Sequence, residues 1–190
     1  KAPTDPAALA AVTRQREDTE IDYLVEDLPQ LLDESAEGLA RVKKIVQDLK
    51  DFSRVDHADW QEADLNEGLE STLNVVRHEV KYKAEVVRRY GELPPVMCLA
   101  AQLNQVFMNL IVNAVHAIPE RGQITLATGT HGKWAWAQVS DTGCGMTEDV
   151  IRRIFEPFYT TKEVGRGTGL GLSLSFSIIQ KHSGLIQVRS

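Results

Sequence analysis

The sequence has only two cysteines, Cys98 and Cys144, which lie far apart and outside any Cys-x-x-Cys motif. This scarcity argues against a disulfide framework and gives no reason to expect a structural zinc site. Long apolar runs are also absent, since none approaches the roughly 20 residues that a membrane-spanning helix needs. We therefore expect no membrane contact by this chain.

Basic residues are fewer than acidic ones. The 21 Lys and Arg residues face 27 Asp and Glu residues, which leaves a net charge of -6 at pH 7. Such a chain repels the phosphates of nucleic acids overall, so we expect no nucleic-acid partner. Hydrophobic residues make up 43% and charged residues 25% of the 190 residues, which excludes a disordered or collagen-like chain.

Residues 21–53 carry the longest helical pattern. Apolar or small residues recur in alternating steps of four and three, and a second row repeats every seven residues beside the first. The first row is Leu28, Leu32, Ser35, Leu39, Val42, Val46 and Leu49, and the second is Leu31, Gly38, Ile45 and Phe52. This stripe is wider than a two-stranded coiled coil needs, so it predicts a helical bundle or hairpin and a homodimer through it.

Helices and strands follow each other in the rest of the chain. The patterns predict helices at 65–82, 100–118, 148–155 and 170–182, strands at 84–90 and 185–189, and a hairpin of 123–128 with 133–140 across a turn at 129–132. We expect an α+β fold, a two-layer α/β sandwich in which a mixed sheet packs on helices, preceded by the long bundle-forming helix.

Two asparagines share one face of the apolar helix at 100–118. Asn109 and Asn113 lie four residues apart. A buried amide must find hydrogen-bond partners, and neighbouring backbone is one source of them. An amide oxygen is also a hard neutral ligand, suited to a Mg²⁺ ion that keeps phosphate oxygens and water as its other ligands. The helix alone leaves both interpretations open.

An apolar strand ends in an aspartate that is followed by a Gly-x-Gly segment, with Asp141, Gly143 and Gly145 in this order. Glycines let the backbone approach a ligand closely. A carboxylate at a strand end can accept a hydrogen bond from an exocyclic amine such as that of adenine. Asp-Thr-Gly is also common at a plain strand-to-turn junction, so this motif alone is a weak signal.

Four glycines at every second position precede the last apolar helix. They are Gly165, Gly167, Gly169 and Gly171, with Thr168 and Leu170 between the last three. The N–H groups of such a loop and the N-terminus of the next helix form an anion site. The loop has the spacing of neither a Walker A loop nor a Rossmann fingerprint. A flexible linker is the alternative, but a linker would not lead into an amphipathic helix so sharply.

An aromatic segment lies between the two glycine motifs. Phe155 and Phe158 are candidates for core residues or for anchors of a mobile segment, and Lys162 could reach a phosphate.

In this order and at these separations, the motifs resemble the catalytic and ATP-binding domain of bacterial sensor histidine kinases. That domain belongs to the wider gyrase, chaperone and mismatch-repair ATPase superfamily. The likeness covers about residues 60–190, and residues 48–54 resemble the end of the second helix of a dimerisation and histidine-phosphotransfer domain.

The resemblance implies ATP and Mg²⁺ as cofactors. Asp141 would bind the adenine amine, Asn113 would ligate Mg²⁺, and Asn109 would lie close to the phosphates. Asn109 stands where ATPases of the superfamily carry a water-activating Glu, which favours phosphoryl transfer to a protein side chain over hydrolysis. Asn109 and Lys162 are the expected catalytic residues.

The resemblance further implies an ATP lid between Gly143 and Gly171, with Phe155 and Phe158 at its base. Lys162 and the backbone amides of 165–171 would lie near the triphosphate. The full set of expected cofactor contacts is Asn109, Asn113, Asp141, Gly143, Gly145, Phe155, Phe158, Lys162, Gly165, Gly167, Thr168, Gly169, Leu170 and Gly171.

The family also needs an acceptor histidine on a first bundle helix, in a His-Glu/Asp-x-x-x-Pro setting. No histidine precedes the long helix, and His78-Glu79 lacks the proline. We expect residues 1–56 to be a partial phosphotransfer domain without its acceptor helix, and 57–190 to be the catalytic domain with a truncated last strand. His116 is expected to be a packing residue. The chain begins with Lys1, which favours an acceptor upstream of this sequence.

The leading hypothesis is the kinase core of a two-component sensor histidine kinase. It would bind Mg-ATP, phosphorylate a supplied histidine, pass the phosphate to a response regulator receiver domain and not autophosphorylate as this piece. A cytoplasmic location is implied, with membrane anchoring of the parent left open. The second hypothesis is a dimerising ATP-binding regulatory module without catalysis, and the third is an ATPase of the same superfamily.

Overall fold

The computed structural model describes residues 6–18, 21–53, 59–162 and 167–190. The chain divides into two units, residues Lys1–Val46 and Gln47–Ser190. Helix α1 spans Pro6–Asp18, and helix α2 spans Ile21–Ser53, continuing into the second unit. No helix of the described residues is both long and apolar enough to cross a bilayer.

Helix α2 begins and ends where the apolar periodicity predicts. Pro29 lies inside it and removes one backbone hydrogen bond without ending the helix. The apolar stripe is open to solvent in the described part, since its six large apolar members with a described side chain, among them Leu39 and Val46, are more than half exposed. An isolated helix does not bury such a stripe by itself.

The second unit carries the sheets. Its elements in chain order are β1 Gln61–Ala63, α3 Leu65–Val75, α4 Arg77–Lys83, β2 Ala84–Arg89, β3 Val96–Cys98, α5 Ala100–Ala117, β4 Gly122–His131, β5 Trp134–Asp141, α6 Glu148–Arg153 and α7 Gly171–Lys181. A three-stranded sheet has the order β2-β4-β5, with β2 parallel and β5 antiparallel to β4. Strands β1 and β3 form a separate antiparallel pair.

The mixed sheet packs on helices, which confirms the α+β sandwich preceded by a long helix. Helix α5 is central to the packing because it contributes to two apolar clusters. Its Ile111 and its C-cap residue Ile118 pack with Ile124 and Leu126 of β4. Its Leu103 and Phe107 belong to the second cluster, together with Leu174 and Ile178 of α7. Helix α5 therefore packs on both the sheet and α7.

Three local predictions differ from the structure. The helix expected at 65–82 is broken at Val76, whose side chain is buried in the first cluster and whose backbone leaves the helical region. The hairpin turn lies at Gly132-Lys133 rather than 129–132, because Gly132 supplies the positive φ, +60°, that a tight turn needs. The strand predicted at 185–189 is wrong, since these residues pair with no strand among the described residues.

Candidate functional site

Asn109 of α5 joins this helix to the start of α7. Its side-chain Nδ2 donates to the backbone oxygen of Gly171 at 2.9 Å and to Ser175 Oγ at 3.2 Å. Ser175 is fully buried and donates its own hydroxyl to the Gly171 oxygen at 2.9 Å. The bonds satisfy these buried polar groups and place the asparagine of one motif against the helix that follows the glycine loop.

Lys162 lies against the next turn of α5. Its Nζ donates to Asn113 Oδ1 at 3.2 Å and lies 2.8 Å from Nδ1 of His116. An ammonium group has only donors, so the histidine nitrogen must be the acceptor. The amide oxygen of Asn113 therefore already holds a cationic group.

Asp141 ends β5 and begins a tight turn. Its Oδ1 accepts from the backbone N–H of Gly143 at 2.8 Å, which leaves the second carboxylate oxygen for a ligand. The backbone N–H of Cys144 donates to the oxygen of Ala117 at 2.9 Å, so the turn is fixed to the last residue of α5. A Cβ on Gly143 would lie 2.6 Å from the Ala117 carbonyl carbon, so only glycine fits here.

The glycine loop is closed by a contact between Phe158 and Gly169. The backbone N–H of Phe158 donates to the Gly169 oxygen at 3.0 Å. Both residues have positive φ, +66° and +67°, and a Cβ on Gly169 would lie 2.6 Å from the Phe158 oxygen. Leu170 is the N-cap residue of α7, and its N–H reaches Thr168 Oγ1 at 3.4 Å.

The two phenylalanines have different surroundings. The Phe155 ring packs against Phe176 of α7, with 5.1 Å between centroids, whereas the Phe158 side chain is 65% exposed. Of the remaining predicted residues, Gly145 has a positive φ of +69°, and a Cβ on Gly167 would lie 2.6 Å from Thr160 Oγ1. Gly165 lies outside the described residues.

The structure thus brings residues of separate motifs together in three places. Asn109 contacts Gly171, Asn113 contacts Lys162, and Phe158 contacts Gly169. Asp141 contacts its own motif partner Gly143 and lies in a turn bonded to the end of α5.

Two neighbours of these residues were not anticipated from the sequence. His116 is exposed and contacts Lys162, so its expected packing role is wrong. The sequence does indicate that His116 lies beside the two asparagines, because positions 109, 113 and 116 follow the i, i+4, i+7 spacing of one helix face. Ser175 lies four residues after Gly171, and the same periodicity places it on the face of α7 that begins with that glycine.

A pocket of about 330 Å³ lies elsewhere, between β1, α3 and the start of α5. Its rim is acidic, with Glu62, Asp64 and Glu67, and no lysine or arginine lines it. Such a rim repels phosphate, and no residue of the predicted motifs lines the pocket. We therefore place the candidate site at the N-terminus of α7. The described residues also contain no cluster of three or more His, Cys, Asp or Glu side chains that could hold a metal.

Comparisons with known proteins identify the family that this part of the chain resembles. Residues 98–190 match the family of histidine kinase-, DNA gyrase B-, and HSP90-like ATPases. The signal transduction histidine-protein kinase AtoS of Escherichia coli (strain K12) is 39% identical over 152 residues, covering 78% of this chain and 25% of AtoS. The chain thus spans about a quarter of that relative's length.

Solved structures show the same likeness. The catalytic domain of histidine kinase ThkA, in a nucleotide-free form, superposes with a TM-score of 0.59 at 29% identity, covering 65% of this chain and 81% of that one. Full-length ShkA in complex with AMPPNP superposes with a TM-score of 0.64 at 25% identity, covering 77% of this chain and 32% of ShkA.

Proposed function

Because the chain contains an ATPase domain of the sensor histidine kinase family, we propose that it is the kinase core of a two-component sensor. It binds Mg-ATP and transfers the γ-phosphate to a histidine, from which the phosphate passes to an aspartate of a response regulator. The observation that carries the proposal is the position of Lys162 Nζ, 3.2 Å from Asn113 Oδ1 and next to the helix face that carries Asn109.

The same contact tests whether the site suits Mg²⁺. A cationic group already lies on the amide oxygen that we assign to the metal, so this oxygen is placed to hold positive charge. One protein oxygen is enough for an ion that keeps phosphate oxygens and waters around it. When bound, Mg²⁺ would neutralise charge on the phosphates. Asn113 is the residue that would hold it.

The other residues bind and orient the nucleotide. The second carboxylate oxygen of Asp141 accepts the adenine amine, while its first oxygen remains on Gly143. The free N–H groups of the first turn of α7 attract phosphate oxygens, since a helix N-terminus carries partial positive charge. Lys162 moves from Asn113 to the phosphates when the nucleotide binds. Catalysis of this kind is positioning and charge stabilisation.

Asn109 favours transfer to a protein over hydrolysis. Its amide donates both hydrogen bonds to α7, and a neutral amide has no lone pair basic enough to take a proton from water. Asn109 therefore holds the glycine loop in place and does not activate water. The ATPase hypothesis needs a base at this point, which the contact does not provide.

The remaining parts of the proposal concern the helices. We propose that residues 1–56 form part of a dimerisation and phosphotransfer domain, and that 57–190 form the catalytic domain. The exposed stripe of α2, with Leu39 at 71% exposure, supports a homodimer through this helix. The acceptor histidine comes from a separate first helix, so the chain alone does not autophosphorylate.

The proposal is tested by calorimetric ATP binding in the presence of Mg²⁺, with Asp141→Asn as the variant. Asparagine keeps the Oδ1 acceptor for Gly143 and replaces the second oxygen with an N–H₂ donor, which repels the adenine amine. We expect the affinity for ATP to fall roughly 10- to 100-fold. Asp33→Asn, an exposed change on α2, is the matched control and keeps the wild-type affinity.

Unchanged ATP affinity in Asp141→Asn would contradict the proposal that Asp141 binds the adenine amine. Catalysis is tested separately by adding a helix that carries His-Glu-x-x-x-Pro and measuring acid-labile phosphate on it. ATP binding without any transfer supports the regulatory-module hypothesis, and steady release of inorganic phosphate supports the ATPase hypothesis.

A further inference from the structure

His182 is the C-cap residue of α7, and it contacts two other segments. Its Nε2 accepts from the backbone N–H of Leu99 at 3.0 Å, and its Nδ1 lies 2.8 Å from the backbone oxygen of Ile178. Its ring lies on the Trp60 ring, with 4.9 Å between centroids and an interplanar angle of 49°. Leu99 is the N-cap residue of α5, so His182 connects the end of α7 to the beginning of α5.

These partners determine which tautomer the imidazole adopts. A backbone N–H only donates and a carbonyl only accepts, so Nε2 carries the lone pair and Nδ1 carries the proton. Leu99 is 1% exposed, and a buried backbone N–H needs a partner inside the protein. The N-cap of α5 has no side-chain capping bond, and His182 satisfies the N–H of Leu99 at this end of the helix.

Directional contacts therefore hold α7 against α5 at both ends. Near its first residue, α7 receives the Asn109 bonds at Gly171 and Ser175. Directly after its last residue, the C-cap residue His182 binds Leu99. Between the two points, roughly 16 Å apart for eleven residues, the contact is apolar packing of Leu174 and Ile178. Apolar packing sets a distance between helices, whereas hydrogen bonds at two points also set their register.

We propose that His182 is a positioning residue for the nucleotide site. By fixing the far end of α7 to the start of α5, it keeps the loop amides at the N-terminus of α7 in register with the asparagines of α5. It contacts no part of the site itself. The inference rests on the proposed function only where it predicts ATP affinity, because the tautomer and the bond between the helices are properties of the chain alone.

Two variants of His182 separate the bond between the helices from the bond within α7. In His182→Gln, the Oε1 atom replaces the Nε2 acceptor and keeps the bond to Leu99. In His182→Asn, the shorter side chain keeps only the local contact with Ile178. We expect the ATP dissociation constant to rise roughly fivefold in the Asn variant and to stay within about twofold of wild type in the Gln variant.

A substitution in the apolar core tests whether lower stability by itself reduces ATP affinity. Leu73→Ala removes a buried side chain from the other apolar cluster, so it lowers the melting temperature and leaves ATP affinity of the folded protein unchanged. A fall in affinity that is equal in the Gln and Asn variants would overturn the proposal, as would wild-type affinity in a folded Asn variant.

The nitrogen-15 spectrum of the His182 imidazole tests the geometry without nucleotide. We expect the Nδ1–H tautomer in the wild-type chain, and the Nε2–H tautomer would overturn the inference. Should the wild-type chain fail to bind ATP, the proposed function falls while this spectrum still decides the position of His182.

Discussion

Substitution of Gly169 by alanine gives the sharpest test of the glycine loop. The residue has a φ of +67°, which costs a side-chain-bearing residue about 1–2 kcal/mol. The new Cβ would also lie 2.6 Å from the backbone oxygen and 2.7 Å from the Cα of Phe158. Backbone atoms do not move aside like a flexible side chain, so the hydrogen bond between Phe158 N–H and Gly169 breaks, at about 1 kcal/mol.

The expected total is about 2–3 kcal/mol, which corresponds to roughly a 30- to 150-fold change in an equilibrium constant. We expect this loss in ATP affinity, because the loop leaves the conformation that positions the amides of α7. Calorimetry with ATP and Mg²⁺ measures the affinity, and urea unfolding measures the stability.

Gly132→Ala is the matched control for this experiment. Gly132 has nearly the same φ, +60°, but nothing lies within 4 Å of a Cβ built there. The Gly132→Ala variant therefore has the backbone strain of about 1–2 kcal/mol but no steric overlap of its Cβ. Its ATP affinity stays at the wild-type value. If Gly169→Ala bound ATP as well as Gly132→Ala does, the overlap with Phe158 would have no part in the site.

Two further substitutions test contacts of the same unit. Asn109→Ala removes the donor to the fully buried Ser175, so we expect a loss of about 1–2 kcal/mol in the free energy of unfolding in urea and at least roughly a tenfold loss of phosphoryl transfer. Full transfer by the folded variant would contradict the orienting role of Asn109. Loss of a steady ATP hydrolysis in this variant would instead favour an ATPase. Glu70 has its pKa lowered by the hydrogen bond from Arg88 and a second one from Tyr90. A lowered folded-state pKa contributes stability above the unfolded value of about 4.3 and loses it as the pH falls through the folded value. Glu70→Gln should therefore cost about 0.5–1 kcal/mol at pH 7 and flatten the dependence of stability on pH below about 5. An unchanged slope would contradict this assignment.

Elements with many periodic residues were predictable from the sequence. The 33 residues of α2 repeat the apolar pattern often enough to place both ends of the helix. Strands β1 and β3 have three residues each, too few for a period of two to be seen. The break at Val76 depends on a buried position in the tertiary core, which local propensity does not contain.

The motifs of the candidate site were visible in the sequence, but their contacts were not. Asn109 and Asn113 are recognisable by their helical spacing within an apolar segment. The bonds that they make reach Gly171 and Lys162, which are 62 and 49 residues away in the chain. Such pairs depend on how α5 and α7 pack, and the spacing of polar residues on one helix does not specify its partner helix.

The net charge of the chain is a poor guide to its affinity for phosphate, because the charge is unevenly distributed along the sequence. Residues 1–46 contain ten acidic and six basic residues, whereas residues 47–190 contain seventeen acidic and fifteen basic ones. Most of the excess negative charge thus belongs to the helical unit, and the unit with the candidate site is close to neutral. Exposed charges act over about 8–10 Å in physiological salt. In the proposed site, phosphate affinity would therefore depend on Lys162 and the amides at the start of α7, and an acidic total is compatible with such a site.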